Sequence, residues 1–107
     1  MSDKRKYASA VLSVQPKLYK SYTVAVNATQ TFEELTEALP LNVYGVKVRV
    51  QDDNKVYYQN GAASTSSGCI QQYESESFVG SKDELDLIEL YTGDASANNV
   101  TINIYII

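Results

Sequence analysis

The run Asn60-Gly61-Ala62-Ala63-Ser64-Thr65-Ser66-Ser67-Gly68-Cys69 gathers small residues, hydroxyls and one thiol. Three chemistries use such residues: a backbone cradle for phosphate, a serine nucleophile, or a reactive cysteine. A phosphate loop places four residues between its glycines, then a lysine and a hydroxyl residue at the opening of a helix. Here six residues separate Gly61 from Gly68, Cys69 stands where the lysine belongs, and strand-forming residues follow. A serine or cysteine nucleophile needs a positioned base. The chain has no histidine, which removes the usual triads and the commonest transition-metal ligand. A serine–lysine dyad stays open, and no spacing points to it. Cys69 reads as a small core residue.

The carboxylates Glu74, Glu76, Asp83, Glu84, Asp86, Glu89 and Asp94 crowd residues 74–94. Two acids about 5–10 Å apart can hydrolyse glycosides, but these fall on turns and wet strand faces, where acids are ordinary. Asp52-Asp53-Asn54 begins like a calcium loop. Tyr57 then occupies the position that needs glycine and Ala63 the one that needs glutamate. Tyr57, Tyr58 and Tyr73 offer a stacking platform for sugars, set against the plainer role of sheet packing and subunit contact. These residues assign no catalytic residue, cofactor or metal ligand. The expectation is a protein that is not an enzyme.

The 107 residues amount to one domain. With 44% hydrophobic and 21% charged residues the chain reads as globular. Nine tyrosines stand beside two phenylalanines and no tryptophan, an enrichment that favours strands and contact surfaces. One cysteine forms no internal disulfide, and no apolar run reaches signal-peptide or membrane-spanning length. A soluble protein made in a reducing cytoplasm is expected. The net charge of −4 is uneven. Residues 1–20 hold five Lys/Arg, among them Lys4, Arg5 and Lys6, against one Asp, whereas the rest holds four Lys/Arg against twelve Asp/Glu. A basic arm on an acidic body is expected to dock on an acidic neighbour, and the acidic body argues against nucleic acid as a partner.

Strands must position whatever site exists, because period-two alternation recurs between turn residues. Ala8, Ala10, Leu12 and Val14 mark a weak first strand, which Pro16 interrupts. Tyr22, Val24 and Val26 follow, and then Val46, Val48 and Val50 face inward with Lys47 and Arg49 outward. Asp52-Asp53-Asn54 turns the chain, and KVYYQN is expected to return as the hairpin partner. CIQQY, ESFV and ELDLIELYT are further strands. In NVTINIYII, Val100, Ile102, Ile104 and Ile106 face one way and Thr101, Asn103 and Tyr105 the other. The one helical signal is TFEELTEALP, with capping-box spacing from Thr31 to Glu34 and a stop at Pro40. The expected fold is an all-β antiparallel sandwich, jelly-roll-like, of seven or eight strands with one short helix. Its expected division is a basic N-terminal arm and weak strand over residues 1–20 and a β-sandwich domain over 21–107.

Residues 46–70, VKVRVQDDNKVYYQNGAASTSSGCI, run as strand, tight turn, strand, small-residue stretch, glycine and strand. This order, with LIELYTG and the terminal VTINIYII, resembles a family of small β-sandwich proteins encoded among the structural genes of tailed bacteriophages. The resemblance spans roughly residues 22–107, with Gln59-Asn60-Gly61 in place of the family's Asp-Asp-Gly and Ser64 where proline is common. It implies a virion component: a capsid decoration or cement protein, or a head or tail accessory, that works through protein–protein contacts. It supplies no catalytic residue. NGAASTSSGC then reads as a connection across the sandwich. Lys4, Arg5, Lys6, Tyr57, Tyr58 and Tyr105 are the expected subunit contacts, with capsid or tail subunits and further copies of the chain as partners and the virion as location. The alternative is a carbohydrate-binding or adhesin module using surface tyrosines.

Overall fold

The computed structural model describes residues 15–61, 63–93 and 97–107. Among these residues eight strands are formed: β1 (Lys17–Val26), β2 (Gln30–Thr31), β3 (Val43–Val50), β4 (Val56–Asn60), β5 (Gly68–Ile70), β6 (Ser75–Val79), β7 (Ile88–Tyr91) and β8 (Asn98–Ile106). Their pairing is nested. β4 pairs with β5, β3 with β6, β2 with β7 and β1 with β8, all antiparallel. Two further pairings, β3 with β8 and β4 with β7, close the roll. The result is two four-stranded sheets ordered β1-β8-β3-β6 and β2-β7-β4-β5. An all-β jelly-roll sandwich, as expected, is what the chain builds.

The alternation that marks the strands also fills the space between the sheets. Val46, Val48 and Val50 of β3 and Val100, Ile102 and Ile104 of β8 are almost wholly buried, and Val56, Ile70 and Leu90 meet them from the other sheet. An aromatic file runs beside these aliphatics. Phe78 lies 5.7 Å from Phe32 and 5.1 Å, edge-on, from Tyr58, within the range of favourable ring pairing.

Several expectations are corrected. β3 and β4 are not hairpin partners, because both edges of β3 are taken by β8 and β6. Residues 51–55 instead carry the chain from one sheet to the other. The Gln51 N–H donates to the Asn99 carbonyl, and Asp52 Oδ2 accepts from the Asn99 N–H at 2.8 Å. Asn98 Nδ2 donates to the Asn54 carbonyl. This crossing leaves Val50 and Val56 buried from opposite sides. The small-residue stretch, expected to cross the sandwich, joins the neighbouring strands β4 and β5 of one sheet. The terminal strand is no open edge, since β8 lies between β1 and β3.

Among the described residues two helices form rather than one. α1 (Phe32–Leu35) has the expected capping box, with the Thr31 hydroxyl accepting from the Glu34 N–H and Glu34 reaching back to the Thr31 N–H. It lasts one turn because Thr36 leaves helical geometry at φ −126°, ψ −94°, while its N–H and hydroxyl both donate to the Phe32 carbonyl. Leu39 nevertheless reaches the core from the loop beyond. α2 (Lys82–Asp86) occupies part of the expected ELDLIELYT strand, under a second capping box from Ser81 to Glu84. At the other boundary, β1 begins at Lys17, inside the segment read as the arm. The weak strand expected over residues 8–14 lies outside the described residues.

Candidate interaction surface

The outward positions of the β1-β8-β3-β6 sheet form the largest coherent surface that the registers define. Ser21, Asn103, Lys47 and Ser77 lie in one row across the four strands, and Thr23, Thr101, Arg49 and Ser75 in the next. Every second residue of a strand shares a face, so the inward valines and isoleucines force these side chains outward. No carboxylate residue takes an outward place along these registers. Lys47 and Arg49 therefore project from the middle of the sheet among hydroxyls and amides. Both are exposed. Among the described residues the ion pairs are Lys20–Glu37 and Lys82–Asp86 alone, so neither β3 cation has a carboxylate partner.

The polar rows are tied locally. Ser21 Oγ donates to Asn103 Oδ1 at 2.6 Å, and Gln51 Nε2 to Thr101 Oγ1 at 2.8 Å. Arg49 also lies over the Tyr73 ring, 5.8 Å from its centroid, a cation–π arrangement. Tyr73 adopts φ 64°, an uncommon conformation for a tyrosine. Its N–H and the Glu74 carbonyl continue the ladder onto Val50, while its side chain stays 62% exposed. The backbone there serves the fold; the ring serves the surface.

One end of the face is apolar. A shallow depression of about 260 Å³ is lined by Pro16, Tyr44, Gly45, Val46, Lys47, Ser77, Phe78, Val79 and Tyr105. Gly45 makes it possible, because a Cβ there would stand 2.8 Å from the Phe78 carbonyl oxygen. Leu18, in register with Tyr105, is 56% exposed and extends the apolar end along β1. No protein-family model matches this chain, and no curated protein or solved structure does either. Function is therefore argued from the surface itself, since a fold alone does not assign one.

The expected contact residues are not brought together. Tyr105 lies on the face just described. Tyr57 sits in register with Tyr91 on the outward side of the opposite sheet. Tyr58 turns inward against the core and Phe78, and burial, aided by the Glu76 charge, raises its phenol above the ordinary value. Lys4, Arg5 and Lys6 lie outside the described residues. Tyr57, Tyr58 and Tyr73 thus form no common platform. Cys69 is exposed rather than in the core, because its register with Tyr57 puts it on the outward side and Ile70 inward.

Ser64, Ser66, Ser67, Glu74, Glu84 and Asp86 have structural employment, and Asp94 lies outside the described residues. Ser67 Oγ donates to Gln59 Oε1 at 2.5 Å and accepts from the Ser64 N–H, while the Ser64 and Ser66 hydroxyls bond one another. Glu74 accepts from the Gln71 N–H, Glu84 caps α2, and Asp86 pairs with Lys82 at 2.6 Å. No group of three or more His, Cys, Asp and Glu that could hold a metal ion occurs among the described residues. Sequence reasoning placed Lys47 and Arg49 outward but missed their isolation from acids. That follows from the β3–β8 and β3–β6 registers, which alternation within a strand does not specify.

Proposed function

We propose that this chain is a non-enzymatic structural protein of a tailed-bacteriophage virion, a capsid decoration or cement protein or a head or tail accessory that works through protein–protein contacts. What supports the reading is the order of residues 46–70 with the closing LIELYTG and VTINIYII, which resembles that of small virion sandwich proteins. The acid-free sheet face supports it physically. A sheet face whose cations have no carboxylate partner among the described residues, with an apolar end, suits contact with another protein, whereas Ser64, Ser66, Ser67, Glu74, Glu84 and Asp86 are engaged in turns, a cap and an ion pair. The test is mass spectrometry and antibody labelling of purified virions from the phage that carries the gene. Stoichiometric presence on particles is expected, and absence from washed virions would overturn the reading.

A carbohydrate-binding reading keeps one observation, the Tyr57–Tyr91 cross-strand pair on the outer side of the second sheet. Jelly rolls serve both capsid proteins and lectins, so the fold does not choose. A glycan array is expected to give no specific binding; reproducible binding lost in Tyr57→Ala would make this a lectin.

A further inference from the structure

We infer that the outward face of the β1-β8-β3-β6 sheet is a subunit interface that receives the acid-rich helical end of a second copy of this chain. The inference rests on the reading of the chain as an assembly subunit and names the surfaces through which copies meet. The cationic half of the contact is Lys47 and Arg49, exposed and without a carboxylate partner among the described residues, on a face whose registers hold no acid. The acidic half is built by the helices. α1 and α2 contact one another. Their first turns present Glu33, Glu34, Asp83 and Glu84, and Lys82 is the one basic residue within either helix. The charges of Glu33 and Asp83 are both felt at Lys82, whose own bond goes to Asp86. Glu34 and Glu84 are used by the capping boxes, which leaves Glu33 and Asp83 to meet an incoming pair of cations.

The other ways of covering this sheet fit less well. Pairing two copies through the edge of β1 that is unpaired among the described residues would put Lys17 and Lys20 of both strands along one seam, and edge lysines are a device against such pairing. Stacking two identical faces would oppose Lys47 and Arg49 to their own kind. A face-to-helical-end contact joins unlike patches, so it is heterologous and generates a ring or a filament rather than a closed pair. Its size sets its strength. Four strands about 4.8 Å apart and five to ten residues long at about 3.3 Å each offer roughly 500 Å² in projection. That is below the ~800 Å² per partner of a standard interface. Association is therefore weak and electrostatically steered, and repetition on a lattice accumulates it.

Sedimentation velocity of the full chain across protein concentration, in low and high salt, tests the interface. Concentration-dependent association at low salt is expected, retreating to monomer as salt shortens the screening length. K47E/R49E and E33K/D83K, all at exposed positions, should each weaken self-association about tenfold or more while circular dichroism stays that of the parent. Mixing the two variants should restore assembly. Carbodiimide coupling should join Lys47 to Glu33 or Asp83 of another copy. Monomer at every concentration, association indifferent to K47E/R49E, or failure of the mixture to reassemble would each overturn this interface. None of these bears on whether the protein is found on virions, which the particle analysis decides separately.

Discussion

Gly45 and Lys47 are neighbours on one side of β3, and they show how a single residue type decides what that side can do. Glycine within a strand is usually unfavourable. At Gly45 an added methyl group would meet the Phe78 carbonyl oxygen at 2.8 Å, and that oxygen belongs to the backbone of the paired strand. Gly45→Ala is therefore expected to destabilise the protein by about 1–3 kcal/mol through displacement of β6, read as a lower midpoint in urea. An unchanged midpoint would mean that β6 yields freely at that point. Two residues on, Lys47→Ala should leave stability within about 0.5 kcal/mol, whereas Val48→Asp would bury an unpaired charge and prevent folding. If Lys47→Ala unfolds the chain instead, the two faces of β3 have been exchanged. Tyr73 makes the complementary case. Asparagine tolerates its left-handed backbone better than a β-branched residue does, so Tyr73→Asn should melt at or above the parent temperature and Tyr73→Val below it.

Among the elements, the two one-turn helices stand or fall with their caps, since each has too few internal hydrogen bonds to persist alone. Ser81→Ala removes the hydroxyl that accepts the Glu84 N–H and should cost about 1 kcal/mol, seen as faster amide exchange across residues 82–87. The bond from the Ser81 N–H also holds the Glu84 carboxyl below its ordinary value of 4.5. Glu37 is lowered as well, first by the Lys20 ammonium and then by the Tyr22 hydroxyl, all meeting at Oε1. A carboxyl depressed on folding stabilises above its unfolded pKa and ceases to as pH falls through the folded one. Stability should therefore decline below about pH 4.5, and the decline should be shallower in Glu37→Gln/Glu84→Gln; identical acid limbs would count against both contacts. The sequence announced α1 through Thr31 and Glu34, and Ser81 and Glu84 carry the same spacing. They were hidden by the alternating Leu85, Leu87 and Glu89, which imitate a strand. Leu85 is in fact buried from a helix while Leu87 is 58% exposed. The strands of β3 and β8 were legible because alternation reports which face is wet. Their partners were not, because pairing depends on residues far apart in the chain. The same limit hid the candidate surface, whose two cations matter only through what lies beside them on β8 and β6.

At the scale of the molecule, the charge asymmetry now has a boundary drawn by structure. The basic segment of the sequence ends at residue 20, but Lys17 to Lys20 are strand residues, with Lys17 in register with Ile106 and Lys20 with Ile104. Lys20 also bridges to Glu37 at 2.6 Å. Removing residues 1–20 would thus take away part of β1 along with the arm and confuse folding with attachment. Removing residues 1–14 spares the whole of β1 and still deletes Lys4, Arg5 and Lys6. We propose that these three residues dock on acidic groups of a neighbouring virion subunit. Exposed pairs contribute only about 0–1 kcal/mol each, so one arm is a weak tether and many arms on a lattice are an effective one. The shortened chain is expected to match the full-length melting temperature and to occupy particles poorly. Full-length occupancy should fall between 0.1 M and 1 M salt, as the screening length drops from about 10 Å to about 3 Å. Equal occupancy by the shortened chain would place attachment in the sandwich. In that case the outward face bearing Lys47 and Arg49 becomes the surface to reverse next, and K47E/R49E on the shortened chain should then release it from the particle.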